Sequence, residues 1–379
     1  MKTITVSTCG TSILTNGTHE DDVKFLRSNA NKRQSEYNSE DIAKINNIVS
    51  EKSILLVNSE PKDVQRLSAE LNGFISFYTH EGKFDAIEAG NHENIHYLIH
   101  TDTFQGSKTA EIIKAWGQAH NINMQLVQID DLNTSSVEEF RIGANNLIEW
   151  CAQSLPGYRE QGYRVIFNLV GGFKSLQGYM QTLGMFYADE IIYIFETGGE
   201  LLRIPKLPVD FDTNAKQYVL DHFNTFRRMQ FVCLPVNECA GIPETLLEIM
   251  DDKCTLSVWG RIIWEDTLRD KYGAGVVEPL SERIIITDKV KDKINDLERN
   301  RRVMFNKQID ELSRYIDSGS KNNLNSVNLR QLTKSPIPPS THEFNLWPDA
   351  GGWRGFCHRD EDNNWVIDDA GMGLNHNQH

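Results

Sequence analysis

No apolar run in this 379-residue chain approaches the ~18 residues that a membrane-crossing helix needs, so no membrane partner is expected. Residues 1–7 enter a strand pattern directly and lack the long apolar stretch of a signal peptide. Six cysteines, Cys9, Cys151, Cys233, Cys239, Cys254 and Cys357, form no CxxC pair. Their scatter argues against a zinc site or any other metal centre and points to reduced thiols in a cytoplasmic protein. A GxxxxGK[ST] phosphate loop and internal repeats are also missing. Basic residues are scarce: 39 Lys and Arg face 53 Asp and Glu, a net charge of −14. The shortage is uneven, because residues 283–379 hold 14 of each sign and the whole excess of acid lies before them. An acidic N-terminal part is poorly suited to gripping a long nucleic acid, and no DNA partner is expected. The apolar share of 39%, with 17 Phe and 7 Trp, supplies cores for two or three domains.

The C-terminal hundred residues carry the clearest pattern. Residues 283–287 read as a short apolar strand. Over 288–318, Val290, Ile294, Leu297, Val303, Phe305, Ile309, Leu312 and Ile316 are spaced as two amphipathic helices require, and Gly319 closes the second. Three strand-like runs follow at 342–347, 352–359 and 364–370, separated by Gly351-Gly352 and by the polar run 360–364. The helical stretch is the basic half: residues 283–334 have 12 basic and 7 acidic groups, residues 335–379 have 2 and 7.

Strand, two helices and a three-stranded meander resemble the RelE family of ribosome-dependent mRNA endonucleases. The resemblance spans residues 281–379 and implies an α+β domain that cleaves mRNA in the ribosomal A site without a metal or cofactor. Such cleavage needs the 2′-OH aligned, the phosphate charge stabilised and the 5′ oxygen protonated. Trp353-Arg354 stands in the place of the family's aromatic–Arg pair, which makes Arg354 the catalytic candidate for the phosphate. Arg330 stands where the family has a basic residue before its first meander strand. The family's lysines and its basic C-terminal end have no counterparts in His342–Leu346 and Gly373–His376. His358, His376 and His379 are the replacements on offer, since histidine exchanges protons near neutrality. Arg301, Arg302 and Lys307 are the expected grips on ribosomal RNA. Two other readings stay open: a ribosome-independent ribonuclease of the HEPN type, and a non-catalytic signalling or transcription factor whose C-terminal part only docks a partner.

The N-terminal part alternates strands and helices. Strands are read at 3–7, 53–58, 96–100, 124–129 and 163–169, which predicts a doubly wound parallel sheet with its ligand beyond the strands' carboxyl ends. Three loops are small, hydroxyl-bearing and glycine-containing: Cys9, Gly10, Thr11 and Ser12; residues 101–106 with Thr103, Phe104, Gln105 and Gly106; and Asn168 through Gly171, Gly172, Phe173, Lys174 and Ser175. Such loops let backbone amides approach an anion, with Lys174 as a point charge. Residues 1–205 resemble a CARF domain, the Rossmann-like sensor of CRISPR-associated proteins. That resemblance implies a homodimer binding a cyclic oligoadenylate activator across its two-fold axis, most commonly the tetramer. Thr11, Ser12 and Lys174 include no general base for cleaving the ligand. Residues 206–280, broken by Pro208, Pro235 and Pro243, resemble a small helical or winged-helix connector, with a wing expected at 272–277.

Overall fold

The structure, a computed structural model, describes residues 2–195, 199–208, 213–319, 326–332, 338–347 and 352–372. The chain divides into two compact units, Met1–Asp210 and Phe211–His379. Among the described residues no helix is long and apolar enough to cross a membrane.

In the first unit, strands β1 (Thr3–Thr8), β2 (Ile95–Thr101), β3 (Met124–Ile129), β4 (Arg164–Asn168), β5 (Glu190–Ile194) and β6 (Leu201–Pro205) form one sheet in the order β3-β2-β1-β4-β5-β6. Strands β1 to β5 are parallel and β6 runs antiparallel at the edge. This is the order of doubly wound dinucleotide-binding sheets, whose direction of winding reverses between β1 and β4. Every residue of β1 is buried, with apolar Ile4 and Val6 alternating with the small hydroxyl side chains of Thr3, Thr5, Ser7 and Thr8. The main helices are α1 (Ser39–Val57), α2 (Ala69–Phe77), α3 (Phe104–Ala119), α4 (Val137–Glu160) and α5 (Lys174–Tyr187). The first three share a core around Ile45, Phe74 and Trp116, while α4 and α5 pack on each other and on the sheet.

Residues 53–58, read from the sequence as a strand, are the end of α1 and the residue that caps it. The buried positions Ile45, Ile48, Lys52 and Leu56 recur at helical spacing, whereas Ile54 is 65% and Leu55 46% exposed. A run of five apolar or small residues masks that period when taken alone. Strands β5 and β6 extend the sheet beyond those read from the sequence.

The second unit opens with α6 (Thr213–Asp221), α7 (Phe223–Met229), a hairpin of β7 (Leu247–Met250) and β8 (Lys253–Leu256), then α8 (Val258–Ala274). The hairpin precedes the long helix. The wing expected at 272–277 is instead the end of α8 and a loop, where Asn295 and Asn306 side chains accept from the amides of Val276 (3.0 Å) and Val277 (2.9 Å).

Next come β9 (Ile284–Ile286), α9 (Asp288–Asn295), α10 (Arg299–Asp317), β10 (Arg330–Gln331), β11 (His342–Trp347), β12 (Trp353–Arg359) and β13 (Trp365–Met372). The sheet order is β9-β13-β12-β11-β10, with β9 parallel to β13 and the other pairs antiparallel. The strand, the two helices and the meander lie where the apolar spacing puts them. One face packs on the helices through Val290, Ile294, Phe305, Ile309 and Leu312.

Helix α10 serves both parts of this unit. Its buried Asp310 accepts from Arg227 of α7 (Nε to Oδ1, 3.1 Å) and from the Tyr272 hydroxyl of α8. Asn306 donates to the carbonyls of Tyr272 (3.1 Å) and Gly275 (2.9 Å).

Candidate functional site

The first candidate is a cavity of about 340 Å³ at the carboxyl ends of β1 and β4, the crevice where the sheet's winding reverses. Cys9, Gly10, Thr11 and Ser12 line it from one side, Gly171, Gly172 and Phe173 from another, and Thr101 at the end of β2 with Thr103 in the loop after it from a third. Close backbone approach explains the glycines. A Cβ on Gly10 would lie 3.1 Å from the Gly172 nitrogen, and Gly172 has a φ of +95° that few other residues adopt. A Cβ on Gly171 would stand 2.4 Å from the Glu70 carboxylate, too close for any side chain.

Glu70, on α2, is the element that sequence reasoning missed beneath these loops. Only 1% exposed, it accepts from the Gly10 amide (2.8 Å) and from the Ser68 hydroxyl (2.7 Å). Burial pushes its carboxyl above the ordinary range, against the pull of those two donors. The Gly10 amide is therefore committed to the scaffold. Burial, reinforced by Glu70, also pushes the Cys9 thiol up, so Cys9 contributes a neutral surface. Asn168 is scaffold as well: its side-chain amide donates to Ser7 Oγ (3.0 Å) and to the Glu70 carbonyl (2.8 Å).

The expected residues therefore divide. Thr103 lines the cavity and caps α3 by accepting from the Gly106 amide (3.2 Å). Phe104 points into the core against Tyr37, ring centroids 5.5 Å apart, and Gln105 donates to the Leu26 carbonyl (2.9 Å). Lys174 and Ser175 are exposed on the first turn of α5 and do not line the cavity. The cation that does is Arg27, on a helix at Glu20–Ser28 that carries no motif. It comes with Asn31, on a segment pinned across the loops after β2 and β3. Arg33 bridges Asp102 (2.8 Å) and Asp131 (2.7 Å), Asn31 accepts from Thr134 (2.9 Å), and the Lys32 carbonyl accepts from the Phe104 amide (2.9 Å).

The second candidate is the C-terminal sheet. On β12, Arg354 and His358 alternate with the helix-facing Trp353 and Cys357, so they share the opposite face. Asp368 and Asp369, on the neighbouring strand β13, are taken by other partners. Asp368 binds His358 Nδ1 (2.9 Å) and accepts from Ser340 Oγ (2.8 Å), while Asp369 binds Lys289 (2.8 Å) and Lys293 (3.0 Å). Arg354 has no ion-pair partner among the described residues. Its guanidinium lies toward Gly352, with Nη2 4.0 Å from where a Cβ on that glycine would be. His358, held through Nδ1, presents Nε2, but four residues of extended chain set the two Cα atoms roughly 13 Å apart. The strand thus aims them at different ends of the sheet.

Other expected residues are engaged elsewhere. Arg330 pairs with Glu343 (2.6 Å) on the neighbouring strand. His342 packs edge-on against Trp365 on the helix side, and burial, helped by Arg359, pushes its pKa down. Arg302 donates to the carbonyls of Gly273 (2.6 Å) and Leu297 (2.7 Å), and Lys307 pairs with buried Glu265 (3.1 Å), which departs from the free basic ridge expected of them. Arg301 lies over the Trp347 ring at 5.1 Å. His376 and His379 lie outside the described residues.

No curated protein matches the chain. Residues 65–207, which run from just before α2 through the loops after β2, β3 and β4 to the edge strand β6, match the model of a family described as CRISPR-associated protein (Cas_APE2256), a CARF-type family.

Proposed function

We propose that the first unit is a receptor for a cyclic oligoadenylate, with the tetramer as the expected ring, and that its occupancy switches on RNA cleavage by the second. The observation that carries the receptor half is the glycine-floored, hydroxyl-lined crevice at the winding reversal, whose Thr101, Thr103 and Gly171 to Phe173 walls fall in the segment that matches a CRISPR-associated family, while its Cys9 to Ser12 wall precedes that segment. A cavity of about 340 Å³ is at the small end of ligand sites, which run from about 300 to 1,000 Å³. It suits one nucleotide rather than a ring of four. A larger ring is accommodated if two copies of the chain face each other across a two-fold axis, which is the reason to propose a homodimer.

The effector half rests on the order strand, two helices, antiparallel meander, with the first strand pairing in parallel to the last. This supports a RelE-like, metal-independent endoribonuclease of type III CRISPR antiviral defence. Arg354, without an ion-pair partner among the described residues, is its phosphate-stabilising group. A ribosome would supply the alignment of the 2′-OH and the phosphate that a sparse set of protein groups does not. The HEPN alternative is less well supported, because it needs its Arg and His on a helix and here they lie on β12.

Primer extension on mRNA from programmed 70S ribosomes, with and without cyclic tetra-adenylate, tests the reading. Cuts that require both ribosome and ligand are expected. Equal cutting of naked RNA would replace it with a ribosome-independent ribonuclease, and no cutting of any RNA would leave a signalling module.

A further inference from the structure

At the end of the C-terminal sheet where Arg354 lies, Trp347 and Trp353 stack with centroids 5.0 Å apart. Lys293 of α9 sits 5.8 Å from the Trp353 ring centroid. The same ammonium reaches Asp369 Oδ1 at 3.0 Å, and Lys289, one turn earlier, reaches Oδ2 at 2.8 Å. Gly371 is the ladder partner of Arg354, and a Cβ there would stand 3.6 Å from Lys293 Nζ. The ammonium therefore lies beside the strand position that faces Arg354.

Pinning α9 to β13 does not account for this arrangement. The lysine side chains are 67% and 42% exposed, and pairs of that kind contribute about 0–1 kcal/mol each. A second lysine on a carboxylate already paired adds little to stability, but it leaves one positive charge uncompensated. With Arg354 the local excess is two. The partly buried Asp369 stays ionised beside them, because the bonds from Lys289 and Lys293 outweigh burial and hold its carboxyl below the ordinary range.

We propose that Lys293, backed by Lys289, is a second phosphate-contacting residue of the Arg354 site, so that an RNA phosphodiester is held between α9 and β12. This rests on the RNA-cleaving reading above and supplies from a helix the cation that the meander strands lack. Asp369 then acts as a brake, sharing both ammoniums in the empty site.

The test is binding of a fluorescein-labelled, uncleavable 2′-O-methyl octaribonucleotide to the full-length protein. It is followed by anisotropy between 50 and 200 mM KCl, with and without cyclic tetra-adenylate. Lys293→Gln should weaken binding about 5- to 10-fold and reduce the slope of log affinity against log salt by about 0.7, the value for one contact to a single strand. Lys293→Arg should restore both. Asp369→Asn, which frees the two ammoniums, should bind more tightly than wild type, whereas a purely structural pair predicts loss or no change. Wild-type affinity and slope in Lys293→Gln, weaker binding in Asp369→Asn, or no binding by wild type would each overturn the proposal. If these shifts appear but programmed ribosomes show no cleavage, the phosphate site stands and the nuclease reading fails.

Discussion

Arg27 and Lys174 illustrate how a candidate binding site can be legible in its frame and hidden in its charge. The glycines and hydroxyls of residues 9–12 and 168–173 sit at strand ends, and a strand end followed by glycine can be recognised from local sequence alone. Lys174 follows directly and reads as the anion's partner, yet it projects from the first turn of α5 outside the cavity. Arg27 reaches the cavity from a helix whose flanking segment is tied down over long range, with Arg33 bound to Asp102 and Asp131, 69 and 98 residues further along the chain. No local pattern announces such a pairing. In calorimetry with cyclic tetra-adenylate, Arg27→Ala should therefore lose about 1.5–3 kcal/mol, as expected for a hydrogen bond to a charged group, while Lys174→Ala should lose clearly less. The reverse ranking would move the anion to the start of α5. Gly172→Ala faces both a φ of +95° and contact with Thr8 Oγ1 at 2.9 Å, so it should lower stability by about 1–3 kcal/mol and impair binding. Unchanged thermal stability would contradict that description of the loop.

At the scale of elements, strands β1 to β4 and the C-terminal meander were readable because they are bounded by glycines and polar turns, whereas the parallel strand β5 was not read. The tail of α1 was not, because residues 53–57 lie at a helix end where one side chain enters the core and its neighbours face solvent. The candidate set on the C-terminal sheet was legible only in part: the strand that carries Arg354 lies where the sequence puts it, but the ion pairs that hold Asp368 and Asp369 come from separate elements. Strand β2 carries a consequence for pH. His96 is buried against Phe74, with ring centroids 4.8 Å apart, and contacts the Ala89 carbonyl through Nε2 (3.0 Å). Burial lowers its pKa to about 4. The unfolded chain, with an ordinary histidine near pH 6.5, binds the proton more readily, so stability is full above that pH and declines as pH falls toward 4. The loss should be on the order of 3 kcal/mol from this one group. Urea titrations of the full chain at pH 7 and 5 should show the decline in wild type and a smaller one in His96→Leu. Equal declines would show that another group is responsible.

At the scale of the whole molecule, the second unit buries paired charges beside its apolar cores. Arg227 and Asp310 are both almost fully buried, and Glu265 meets Arg261 and Lys307 in the same unit. Removing one member of such a pair leaves its partner uncompensated, at a cost of about 3–5 kcal/mol. Asp310→Ala should therefore unfold the connector helices and the C-terminal sheet in one transition at lower urea. Two separated transitions would show instead that they fold independently.

The central claim, that the crevice of the first unit governs cleavage by the second, is tested most directly by the rate of mRNA cleavage on programmed ribosomes as a function of cyclic tetra-adenylate concentration. With Arg27→Ala the account predicts half-maximal activation at about 10- to 100-fold more ligand with the wild-type plateau, which is the same loss expressed as a shift in affinity. With Arg354→Ala it predicts the plateau lost and ligand binding unchanged. Cleavage that ignores the ligand, or an Arg27→Ala protein whose plateau falls without a shift in midpoint, would contradict it.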